Sequence, residues 1–79
     1  MMEALKEGML DHLINIARGG HQAELQGNDD AARVLESTAY REACDLFGDD
    51  WWYQHEMECM KADAVECWEM LLERLGVEA

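Results

Sequence analysis

Apolar residues recur at three- and four-residue intervals through most of this chain, and nowhere in the strict alternation of a strand. Leu5, Met9, Leu13 and Ile16, flanked by Leu10, Ile14 and Ala17, predict a first helix from about Met2 to Arg18 with a wide apolar face. Gly8 inside it costs roughly 1 kcal/mol against Ala, and the pair Gly19-Gly20 is a natural stop. Residues 21–28 carry no decisive pattern; a loop, one helical turn and an extension of a neighbour all fit. A second helix starts near Asp29, where Asn28 or Asp29 can cap the free amides and Asp30 suits the positive end of the helix dipole. Its expected buried stripe is Val34, Leu35, Ala39, Ala43, Leu46 and Phe47, and Gly48 ends it.

After Asp49-Asp50, a second acidic cap, the pattern supports one long helix from Trp51 to Leu75, stopped by Gly76. At ~1.5 Å per residue it spans nearly 40 Å. Tyr53, Met57, Met60, Ala64, Cys67 and Leu71 follow alternating steps of four and three, the seam of a helix packed lengthwise on another, with Trp68, Leu72 and Leu75 broadening one side. That seam serves packing against the first two helices or a homodimer. Proline is absent and the two Gly-containing connections are short, which favours antiparallel neighbours. The expectation is an all-α fold: a single domain over residues 1–79, a small three-helix or four-helix bundle with a long C-terminal helix.

Charge changes the picture. Eighteen Asp and Glu against six Lys and Arg leave a formal charge of -12 on 79 residues, well beyond what solubility asks of a small domain. The excess is regional: residues 49–79 carry nine carboxylates against two cations, Lys61 and Arg74. An ordinary solvated helix face interleaves signs and gains from pairs at i, i+4; here repulsion is tolerated. Glu56 and Asp63 are seven apart, as are Glu66 and Glu73, and Glu58 and Glu69 lie on the same side, away from the seam. Such rows repeat every ~5 to 6 Å of helix axis, of the same order as the ~3.4 Å phosphate spacing along one DNA strand. This field repels nucleic acid and anionic membrane and attracts basic surfaces.

Asp49-Asp50-Trp51-Trp52-Tyr53 sets three large aromatics over about 200° of a helix, so they cannot all enter one core. Trp51 and Trp52 are either apolar anchors for a partner or a cover for the turn after Gly48. His55 and Cys59, at i, i+4, are a candidate soft-metal or redox pair, but structural zinc needs four ligands and no second paired spacing is present. Packing explains them more simply, and no metal or cofactor is expected. A negative setting opposes thiolate formation, and no phosphate loop, dinucleotide fingerprint or basic patch occurs. No enzymatic activity and no direct DNA binding are expected.

No stretch approaches the ~20 apolar residues of a membrane span, and the N-terminus lacks the basic start and apolar run of a signal peptide. With three cysteines and no export signal, reduced thiols and a cytoplasmic location are expected.

In size, helical make-up and acidic balance the chain resembles the small phage-encoded inhibitors of bacterial defence nucleases, notably anti-CRISPR proteins that imitate DNA. The resemblance is one of character over the whole chain and matches no family motif residue by residue. It implies an inhibitor that binds the basic nucleic-acid-binding surface of a CRISPR effector complex and blocks target DNA by charge mimicry and steric occlusion, in the cytoplasm of the host. The expected contact residues are Asp49, Asp50, Trp51, Trp52, Glu56, Glu58, Asp63, Glu66, Glu69 and Glu73. An immunity protein or antitoxin for a basic nuclease shares this character. From a different class, a homodimeric interaction module joined through the third helix also fits the seam.

Overall fold

The computed structural model describes the backbone of residues 2–77 and the side chains of residues 7–77. It is an all-helical bundle with four helices among the described residues: α1 (Met2–Leu25), α2 (Asp29–Phe47), α3 (Asp49–Cys59) and α4 (Ala64–Arg74). α1 packs against α2 and α4, α2 against α3, and α3 against α4. The bundle is elongated, 39 × 22 × 22 Å, its long dimension close to the ~36 Å that the 24 residues of α1 span. No helix among the described residues is long and apolar enough to cross a membrane.

α1 does not stop at Gly19-Gly20; it continues to Leu25, so residues 21–25 extend the first helix. The glycines admit neighbours instead of ending the helix. A Cβ on Gly20 would lie 2.3 Å from Trp68 Cη2, so the α4 indole rests against bare α1 backbone; a Cβ on Gly19 would stand 3.5 Å from Leu35. The real stop is Gly27, where Gly27 N–H donates to Glu24 O at 3.1 Å and Asn28 N–H to Ala23 O at 2.8 Å, the paired closing bonds of a Schellman motif. Leu5 of the predicted apolar face falls outside the residues whose side chains are described.

Asn28 caps α2, its side-chain oxygen accepting from Ala31 N–H at 3.2 Å. The inward stripe of α2 is narrower than predicted. Ala32, Ala39 and Ala43 are buried, Leu35 and Leu46 are half-buried, and Val34 and Phe47 are exposed. Val34 is five residues from Ala39, about 140° around the helix, and so cannot share its face; small alanines let α2 lie close on α1. Gly48 joins α2 to α3 as the only residue between them, at φ 92, a backbone region costly for any residue with a Cβ.

The long C-terminal helix is absent as a single element. Residues 60–63 form a turn, and Asp63 takes up an extended backbone (φ -77, ψ 173) from which its carboxylate accepts Glu66 N–H at 2.9 Å. A side chain that satisfies a free amide offers the backbone an alternative to continued helix. The core joins Leu13, Ile16 and Ala17 of α1 with Ala39 and Ala43 of α2, Trp52 of α3, and Trp68, Leu71, Leu72 and Leu75 from α4 and its cap. α4 closes at Gly76, as predicted, with Val77 N–H donating to Leu72 O at 2.9 Å.

Candidate functional site

The break after Cys59 changes which face of α3 turns inward. Trp52 and His55 are buried, whereas Tyr53, Met57 and Met60, read in sequence as the start of a packing seam, are 62%, 57% and 81% exposed. One residue step is ~100° of a helix, so a seam through Trp52 and one through Tyr53 cannot both face the core. Aromatic contacts with α2 fix the choice: Tyr40 meets Trp52 edge-on at 5.6 Å and Phe47 stacks on Trp51 at 4.5 Å. Further along the expected seam, Ala64 is exposed, Cys67 half-buried and Leu71 buried.

The predicted contact residues divide into groups. Asp49 and Asp50 stand exposed in the first turn of α3, where the helix dipole favours negative charge. Trp51 is half-buried between Phe47 and the Arg74 guanidinium, which lies 5.7 Å from its ring centre. Trp52, 4% exposed, is a core residue, and its indole is too enclosed to serve as an external anchor. Glu56 is exposed and accepts Trp52 Nε1–H at 2.8 Å. Glu58 pairs with Arg74 across the α3–α4 turn. Asp63 caps α4, Glu66 and Glu73 are exposed, and half-buried Glu69 approaches His21 Nε2 at 3.4 Å.

These acids therefore do not form one straight strip. The seven-residue register of Glu56 and Asp63 is lost with the helix break, while Glu66 and Glu73 keep theirs, ~10.5 Å apart along α4. What remains is a two-helix acidic surface. Of its two cations, Arg74 is already engaged by Glu58 and Trp51, which leaves Lys61 alone against the exposed acids. Asp50 heads the Tyr53–Met57–Met60 stripe, and Glu56 and Glu58 sit ~100° to either side of Met57. Apolar area and negative charge are thus presented together.

A cleft of about 340 Å³ opens among the four helices. His55, Cys59 and Cys67 line it, the Cys59 sulfur 3.6 Å from the imidazole and the Cys67 sulfur 3.6 Å from the Cys59 carbonyl oxygen. Burial, with a lesser push from Arg74, holds His55 below its ordinary range, so it is neutral near pH 7. Burial, then Cys67 and Glu58, push the Cys59 thiol up to about 12. An imidazole made less basic beside a thiol made harder to ionise is a poor nucleophile–base pair. Among the described residues no three His, Cys, Asp or Glu side chains are grouped to hold a metal ion.

Two features escaped the sequence reading, and only the first had a local signal. Asp63-Ala-Val-Glu66 has the spacing of a capping box and marks a helix start. Glu24 and Glu36 line the cleft with Glu56, but they come from three helices and no linear spacing relates them. No protein-family model, curated protein or solved structure matches this chain.

Proposed function

We propose that this protein is an inhibitor that docks on a basic nucleic-acid-binding surface, in the host cytoplasm, and excludes DNA by charge and by bulk. A CRISPR effector complex is the target implied by the resemblance in size, charge and helical character. The observation that supports this reading is the uncompensated charge of α3 and α4, where Asp49, Asp50, Glu66 and Glu73 are exposed and the one guanidinium, Arg74, is taken up within the protein. Charge of this density steers association with a basic groove, and the Tyr53–Met57–Met60 stripe supplies apolar contact that slows release. No chemistry on the target is required.

The test is capture of effector complexes from bacterial lysates by tagged protein, washed at low and at high salt, with target-DNA binding measured on the captured material. Exposed charges are screened over ~8 Å at physiological ionic strength, so capture should weaken steeply with salt and bound effector should lose target DNA. Capture that is flat from low to high salt would sink charge mimicry. The exposed stripe also favours a second reading, a homodimeric module joined through α3. Sedimentation separates the two: a dimer that loses association on Met57→Glu supports the module.

A further inference from the structure

The cleft has a composition that neither packing nor surface charge explains. Its walls include the indoles of Trp52 and Trp68 and the buried ring of His55, and three carboxylates, Glu24 from α1, Glu36 from α2 and Glu56 from α3, line the same space. No Lys or Arg is among the lining residues. Arg33 and Arg41 border the adjoining groove, which shares Glu36 and Glu56, and neither forms an ion pair with those carboxylates. Glu24 likewise has no ion-pair partner among the described residues. The volume, about 340 Å³, is at the small end of the ~300–1,000 Å³ typical of small-molecule sites. It suits one long side chain better than a cofactor.

We propose that this cleft receives a guanidinium group, carried as an arginine side chain by a basic protein partner. Aromatic walls and carboxylates select a cation that is planar and weakly hydrated, able to lie against an indole while donating to more than one oxygen. Ammonium satisfies the charge but not the planarity. Trp68 is held in place by its contact with Gly20, so that wall is set before binding. Glu56 engages Trp52 through Oε1 alone, which leaves Oε2 for a ligand. His55 is 5% exposed, and its described polar neighbour is the Cys59 thiol, 3.6 Å from both ring nitrogens. One thiol cannot satisfy both, and a neutral imidazole has one lone-pair nitrogen able to accept a guanidinium N–H. That the carrier is a nucleic-acid-binding protein rests on the function proposed above; the chemistry of the cleft does not.

The experiment titrates ¹⁵N-labelled protein with N-acetyl-arginine amide, and separately with the citrulline and lysine amides, following the three indole N–H signals. Saturable shifts at Trp52 and Trp68, absent at Trp51 and absent with the neutral citrulline probe, are expected. Glu36→Gln and Glu56→Gln should each weaken binding about two- to fivefold, the range of a partly exposed charge pair; Asp11→Asn on exposed α1 surface should leave it unchanged. Equal binding of citrulline, tighter binding of lysine, no saturation, or equal weakening by Asp11→Asn overturns the assignment. The citrulline comparison on the unaltered protein holds even if a variant fails to fold. Failure here with salt-sensitive effector capture intact removes the cleft and keeps the inhibitor; specific arginine-amide binding without capture does the reverse.

Discussion

Gly20 of α1 lies against the indole of Trp68 of α4 so closely that a Cβ on the glycine would fall 2.3 Å from Trp68 Cη2. The two residues are 48 positions apart, and their contact joins the first helix to the last. It also explains why α1 carries a glycine at position 20 of its interior, a residue unfavourable there by roughly 1 kcal/mol against Ala.

Gly20→Ala is accordingly expected to lower stability by about 1–3 kcal/mol, the usual cost of overpacking. Gly19→Ala should do the opposite, gaining a few tenths to ~1 kcal/mol of helix propensity, because its Cβ would meet Leu35 at an ordinary 3.5 Å. Urea denaturation of the two variants checks both. Equal effects would mean that Trp68 is not seated on α1.

Asp63 holds the start of α4 through its bond to Glu66 N–H. Asp63→Ala should cost about 1 kcal/mol, while Asp63→Ser, which keeps a capping oxygen, should cost much less. If instead the chain were one continuous helix through residues 60–63, alanine would be the better residue there and Asp63→Ala would stabilise. The sign of the change in the urea midpoint decides.

His55 gives stability a pH dependence. Its folded pKa lies below the ordinary 6.5, chiefly through burial, so the unfolded chain binds the proton more readily than the folded one. From this group no penalty exists above pH 6.5; as pH falls below 6.5 toward the depressed folded value, stability is lost. His55→Gln should flatten the slope of unfolding free energy against pH in that window, whatever it does to absolute stability. An unaltered slope would show that burial of the imidazole is not what couples folding to protons.

Glu66 and Glu73 are the acids best suited to a test of partner binding, since both are exposed on α4 and neither forms an ion pair among the described residues. Reversal of both to Lys should weaken capture of a basic effector at least about tenfold at low salt, mostly through slower association, while the fold is kept and the first turn of α4, where Glu66 sits, loses about 0.3–1 kcal/mol. Glu69 is less suitable, because reversal there would also disturb its approach to His21. Undiminished capture by the double variant would move the interface off α4.

Parts of this architecture were legible in the residues. Asn28 before Asp29-Asp30 and Gly76 after the last apolar turn each fix a helix end by local hydrogen bonding, and local bonds follow local sequence. The Asp63-x-x-Glu66 start was equally local, yet the four-three apolar rhythm across it read as continuous helix. Periodicity reports which side chains could share a face, and it cannot report that a turn has interrupted the phase. The acids show the same division. Their excess is written in the chain, but Glu58 and Arg74, or Glu24, Glu36 and Glu56, meet only because separate helices fold against one another.

By itself, then, the sequence determined the helical class, several of the helix ends and the strongly negative field, all of which depend on neighbouring residues or on simple totals. Tertiary structure decided that Gly19-Gly20 is a packing groove and not a stop, that Trp52 and His55 turn inward, and that Tyr53, Met57 and Met60 face solvent. The physical reason is that an apolar helical stripe is favourable wherever it is buried. Where several stripes compete for too little core, the phase of each helix is set by the partners it packs against.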